Sequence, residues 1–460
     1  SAGDSVIIKQ GTGSTVTIPN GGIKMVATDG AGSGGAVTDV LDVTGGTGNV
    51  GLGSGSLGTS LTTGTRNVAI GEDALDAVTT ANNSTAIGHQ ALSATTTGSN
   101  NTGVGYLALG VNTTGTQNSA LGVIALDANT TGSYNTALGY SALSSNTTAD
   151  NNTAVGHTAL TSNTTGANNT AVGQAAGDAL TTGEENLAIG SNSLSAAVGS
   201  GKNTAVGAYA LRNDTEGESS VAVGHQALNA QNFTTATSAY NVAVGANAGV
   251  SATTGQYNTL IGGLTGDALT SSNNNVAIGY QALSTDTLGT KTVAVGVDAL
   301  LNQNFTTNTD SFNVAMGYHA GRDVTTGTEN TLIGALSGDA ITTGSTNTLV
   351  GYLSGSAIST GGANTAIGRK AMEATTTSSD SVAVGSNALR VNTTGGSNTA
   401  VGSAALEANT TASNNTAVGR SALAANTTGT ENVAIGHQSM LSNTSITRFH
   451  HRKSEHGCGY

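Results

Sequence analysis

The sequence predicts an all-β chain folded as a parallel β-solenoid, and three observations lead there. A unit of 17 residues recurs along most of the 460-residue chain, Gly interrupts every unit, and large side chains are scarce. Aromatic residues make up 3%, Trp is absent, and charged residues are 9% where about 25% is usual. Such a chain cannot fill several thick cores, because aromatic side chains normally supply much of the buried area. Its 67 Gly and abundant Ser, Thr and Asn would by themselves suggest disorder. The repeat overrides that reading, because stacked units bury a core that no single unit could.

The phrase Asn-Thr-Ala-Val-Gly defines the unit, as in Asn152-Thr153-Ala154-Val155-Gly156. Its Gly recurs 23 times from Gly53 to Gly436, stepping by 17 residues except for one step of 18 and two of 21 (Gly224 to Gly245 and Gly296 to Gly317). The residue before this key Gly is aliphatic in every unit, and the one before that is Ala in all but Gly51, Gly103, Leu260, Leu332 and Leu349. Four residues ahead of it stands Asn, save for Ser84, Ser220, Thr292 and Ser381. Extended pieces broken so often by Gly leave no room for helices, so each unit is one or two short strands with turns. Coils stacked at the inter-strand spacing predict a rod of roughly 110 Å. Asn118, Asn135, Asn152 and Asn169 are then expected to form a ladder, each amide bonding to the coils above and below.

A coupled exchange fixes the register. Most units carry Leu or Met four residues after the key Gly and Asn seven after it, as in Leu143 and Asn146. Gly177, Gly249, Gly266, Gly321, Gly338 and Gly355 take the first place in six units, and there the second becomes Leu180, Ala252, Leu269, Val324, Ile341 or Ile358. A packed interior with fixed volume per layer requires such compensation. Val155 and Ala154 point to opposite sides of their strand. The thin coil is expected to leave the Ala side in water, and burying it against other copies predicts a homo-oligomer, a trimer. The alternative is a monomeric solenoid with an outer face of small residues.

Units such as Asn152–Gly156 and Asn432-Val433-Ala434-Ile435-Gly436 resemble the head repeats of trimeric autotransporter adhesins. The longer unit ending Asn163-Thr164-Thr165-Gly166 also resembles the tandem repeats of phage tail fibres and related virion fibres. The likeness covers about residues 49 to 445, without the heptad stalk, anchor barrel or chaperone domain of those families. It implies a left-handed β-roll of about 23 coils in an intertwined homotrimeric rod. It further implies a fibre on a phage particle or cell surface, extracellular, binding a host-surface glycan or protein receptor and attached through one end.

Outside the repeat, residues 1–48 are expected to form a β-rich cap or attachment segment, with strands at Ser5–Lys9, Ser14–Ile18 and Gly22–Val26 and a turn at Pro19-Asn20-Gly21. Residues 49–441 carry the repeats. Residues 442–460 form a basic tail or cap, with Arg448, His450, His451, Arg452, Lys453 and His456. A net charge of −13 argues against nucleic acid as a partner, no apolar run is long enough for a membrane-spanning helix, and Cys458 has no intrachain partner.

No enzymatic constellation, cofactor motif or metal set emerges. His89, His157, His225 and His437 follow the key Gly in units several coils apart and cannot share a metal within one chain. Tyr106, Tyr140, Tyr280, Tyr318 and Tyr352 hold the same place and complete a stripe able to stack on sugar rings or simply to cover the sheet. The best candidate ligand-binding residues are in the two 21-residue units, whose matching phrases place Phe233 and Tyr240 opposite Phe305 and Phe312. Insertions on a solenoid emerge as loops that often bind, although Phe233 and Phe305 could instead plug the wider coil. Two other functions compete with the fibre: an ice-binding rod presenting Thr pairs such as Thr113-Thr114, and a polysaccharide lyase or hydrolase, for which no carboxylate pair recurs.

Overall fold

The computed structural model describes residues 48–452 and, ahead of them, the strands Val6–Lys9, Thr15–Ile18, Ile23–Thr28 and Val37–Val43. The expected turn at Pro19–Gly21, the basic residues Lys453 and His456, and Cys458 lie outside the described residues. The chain forms two compact units, residues 1–219 with 233–238, and residues 220–232 with 239–460. Both are parallel β-solenoids, and no helix occurs among the described residues.

Each coil contributes one strand of three residues, such as Thr153–Val155. In the first unit these strands pair in parallel from Val50–Leu52 to Thr204–Val206, and in the second from Val221–Val223 to His450–Arg452. Equivalent residues stand side by side, so Ala137, Ala154 and Ala171 form one column. The strand is short because the key Gly ends it. Gly156 has φ 140, and a Cβ there would lie 2.3 Å from the carbonyl oxygen of Gly173. Only Gly tolerates both that dihedral and that approach. Thr158 (φ 54), Leu160 (φ 50) and Asn168 (φ 61) make the remaining left-handed bends of the coil.

The two faces of the strand are opposite to the sequence expectation. The Ala side is the interior, with Ala154 at 0% exposure, while the aliphatic residue before the key Gly points outward. The cause is room. Asn152, Ala159, Leu160 and Asn163 already occupy the inside of the coil. The strand can add only a methyl group to a space packed to ordinary interior density.

The exchange between the fourth and seventh positions appears in the packing. A Cβ on Gly177 would sit 3.1 Å from both Leu160 and Leu180, the residues that fill its place. The three Leu exceptions to Ala belong to the same compensation. Leu260 packs over Gly249 and Gly266, Leu332 over Gly321 and Gly338, and Leu349 over Gly338 and Gly355. All three Leu are fully buried.

Asn118, Asn135, Asn152 and Asn169 do form a ladder, with a different wiring from the amide-to-amide one expected. The Asn152 N–H donates to Asn135 Oδ1 at 2.9 Å, and Asn152 Nδ2 donates to Gly166 O at 2.9 Å within its own coil. Each amide thus ties one coil to the next and closes its own loop. A true side-chain ladder exists at the seventh position after the key Gly, where Asn129, Asn146 and Asn163 each donate Nδ2 to the previous Asn Oδ1, beginning at Asn112, over 2.8–3.1 Å. It stops where Leu180 replaces Asn, leaving Asn163 Oδ1 without a partner.

The segment before the repeat has the three expected strands and a fourth, Val37–Val43, which pairs antiparallel with Ile23–Thr28. Its Asp42 bridges to Gly51, so this segment covers the edge of the first coil. At the other end the solenoid gains one rung beyond residue 441, His450–Arg452 on Val433–Ile435, although Phe449 stands in the Asn column.

Candidate functional surface

Two outward features of the coil could meet a partner. The first is the aliphatic row beside the key Gly. Its members are held one coil apart by the in-register sheet, and many stay open to solvent, with Leu121 at 51% and Met316 at 46% exposure. Two residues earlier, the second outward position of the strand carries mostly Thr in the first unit and often Val in the second, as in Val221, Val242, Val276, Val293 and Val314.

The second feature is a set of aromatic columns. Just after the key Gly, His89 stacks on Tyr106 (centroids 5.5 Å apart) and Tyr140 on His157 (5.3 Å). Neighbouring coils thus supply parallel ring faces, as the expected Tyr/His stripe requires. Another column, five residues before the key Gly, was not singled out in the sequence. It holds Tyr240, Tyr257, Asn274, Lys291, Phe312 and Glu329, all left-handed with φ between 49 and 60. Tyr240 and Tyr257 stack at 5.9 Å, and Lys291 Nζ lies 5.2 Å from the Phe312 ring centre.

The 21-residue units divide the candidate ligand-binding residues. Phe233 and Phe305 are buried, each at 6% exposure, so they plug the wider coil. Tyr240 and Phe312 remain half exposed on the surface. The inserts add short parallel ladders, Gly217–Glu218 with Thr237–Ser238 and Gly289–Thr290 with Thr309–Asp310.

A buried polar knot anchors each insert, and the sequence reading missed it. Asp286 Oδ1 accepts the N–H groups of Gly289 (3.0 Å) and Phe305 (3.1 Å), while its Oδ2 accepts Gln303 Nε2 (2.7 Å). Gln303 Oε1 in turn accepts Asn313 Nδ2 at 2.9 Å. In the first unit Asp214 Oδ1 likewise accepts Gly217 N–H and Phe233 N–H, both at 3.0 Å, and in the second Gln231 Oε1 accepts Asn241 Nδ2 at 2.9 Å. Burial pushes the Asp286 carboxyl above its ordinary pKa, partly offset by these donors. A signal was available: in the Asn column, Asp214 and Asp286 come one coil ahead of each insert, and Gln231 and Gln303 follow.

Ionisable groups cluster elsewhere in the second unit. His319 Nε2 lies 3.0 Å from Asp298 Oδ2, and the Arg322 guanidinium holds the Asp323 carboxyl below its usual range. Glu72, Asp73 and His89 bring ligand atoms within 4.8 Å of one another on the first unit, a grouping the sequence reading did not find. No helix among the described residues is long and apolar enough to cross a membrane. Comparison with protein-family models, curated proteins and solved structures finds no match.

Proposed function

We propose that the chain is a non-catalytic fibre of a virion or cell surface, assembled as a homotrimer and bearing a receptor-binding surface. The observation that carries this reading is the outward aliphatic row, repeated in every coil beside the key Gly. Monomeric soluble proteins rarely expose long contiguous apolar surface. Copies of the chain packed around a common axis would cover the row along its length, and closed symmetry would prevent open-ended growth. The likeness to trimeric adhesin heads and phage fibre repeats supports three copies and an extracellular setting. The ice-binding reading loses ground, because the Thr pairs lie in bends and the first hydroxyl of each is committed: Thr113 Oγ1 donates to Thr130 O, and Thr130 Oγ1 to Thr147 O, each at 3.0 Å.

Mass by light scattering tests the assembly. The expected value is near three times 44.7 kDa, falling to a single chain when Leu121, Leu138 and Met316 are changed together to Ser. A wild-type monomer would overturn the reading.

A further inference from the structure

The two 21-residue units arose as matched blocks, so their differences mark what each surface is free to do. In the second block one side of the half-exposed Phe312 ring is taken by its own chain. Lys291 Nζ sits over it, pinned at 2.5 Å by Asp310 Oδ2, and Asp310 Oδ1 accepts the Thr290 hydroxyl at 2.7 Å. In the first block Tyr240 takes the place of Phe312. Tyr240 instead stacks on Tyr257 with ring planes 16° apart, at 56% and 53% exposure. The result is a pair of near-parallel rings with centres 5.9 Å apart, each residue about half exposed.

Its surroundings select the ligand. Gln256 precedes Tyr257, and the next rung is Asn273-Asn274, so no charged side chain stands on these rungs. Asn273 Oδ1 accepts the Gln256 N–H at 2.7 Å, which fixes one carboxamide beside the rings. The rungs are rigid: Tyr257 N–H donates to Ala239 O at 2.9 Å, and Asn274 N–H to Gln256 O at 3.0 Å. Half-exposed aromatic rings flanked by neutral amide groups complement a pyranose ring, whose C–H face stacks while its rim hydroxyls hydrogen-bond. Lys291, one rung beyond Asn274, is held by Asp310 and so offers a charged ligand no free counter-charge.

We propose that Tyr240 and Tyr257, with Gln256 and Asn274, form a binding site for the uncharged sugar rings of a surface glycan. This site rests on the reading of the chain as a receptor-binding fibre. The test is affinity electrophoresis of the full chain through gels containing dextran, mannan or galactomannan, with alginate as the anionic control. Asn already occupies this left-handed rung at Asn274, so the variant Tyr240→Asn/Tyr257→Asn preserves the backbone and its melting temperature. The expected result is retardation by at least one neutral polysaccharide and at least a tenfold weaker apparent affinity in the variant. No retardation by any neutral probe, retardation by alginate alone, or equal retardation of the variant would overturn the site. Should the site fail while the chain keeps a trimeric mass, the fibre reading stands and only the ligand assignment falls.

Discussion

A regular stretch of the first unit, Asn101 to Asn169, and the 21-residue coil of the second, Asp286 to Asn313, solve the same problem with different chemistry. Both must satisfy buried amide groups inside a coil too thin for bulky side chains. The regular stretch repeats the same neutral bonds coil after coil, among them one from Asn to Asn. The insert breaks the repeat. A single Asp accepts three donors and ties its own coil to the loop ahead, while Gln303 reaches across to Asn313. Uniform coils therefore gain stability by stacking, whereas the wider coil depends on one carboxylate.

The largest effect should come from what the two regions share. Gly156→Ala and Gly317→Ala each force a methyl against the next coil's carbonyl at φ 140 and φ 144. Each should cost on the order of 4 kcal/mol in urea unfolding, combining backbone strain with steric conflict. Equal losses would show that the Gly column is indifferent to the insert. A much smaller loss at Gly317 would show that the wider coil yields.

Next comes the interior. Leu143→Gly should destabilise by about 3–5 kcal/mol through the cavity it leaves. Adding Asn146→Leu recreates the natural Gly177/Leu180 arrangement and should restore more than half of that loss, read by the same unfolding curves. Without rescue, the two positions would not share one volume.

This compensation was legible from sequence because exchanges between fixed columns report a shared space. The orientation of the strand was not. Ala154 and Val155 are both apolar, and only the width left by Leu160, Asn152 and Asn163 decides which one turns inward. The Tyr240–Tyr257 pair was half legible: Tyr240 drew notice through the duplicated insert, but Tyr257 belongs to an ordinary 17-residue coil. It joins Tyr240 because both take left-handed φ in one column, a fact of backbone geometry with no compositional mark. The Asp-Gln knots were written in the Asn column, where a change of residue type precedes each change of length.

The knots should respond to truncation more strongly than the ladder. Asp286→Ala strands the N–H groups of Gly289 and Phe305 and should cost about 3 kcal/mol, at the upper end for unsatisfied buried groups. Asn146→Ala removes one neutral rung and should cost about 1–2 kcal/mol. A reversed order in calorimetric melting would mean that the insert is held by Phe305 rather than by its carboxylate.

The smallest effect is the most specific, because two carboxyl groups of the second unit, Asp286 and Asp323, should respond to pH with opposite signs. Burial raises the Asp286 pKa, so between the ordinary value of 3.8 and the raised one the folded state holds more protons than the unfolded state. Stability then falls as pH rises through that window. Asp323, lowered by Arg322, works in the opposite direction: its contribution is present above the unfolded value and is lost as pH falls through the folded one. The measured curve of the wild type mixes both. Asp286→Asn removes one proton site and keeps an oxygen for the backbone donors, so the difference in melting temperature between wild type and variant isolates the knot. That difference should shift against the wild type on going from pH 4 to pH 7, while Asn146→Asp, which places a carboxyl in the neutral ladder, should acquire a slope of the same sign. A pH-independent difference for Asp286→Asn would mean that its donors outweigh its burial, and the carboxylate would then be a fixed charge as stable as any rung of the ladder.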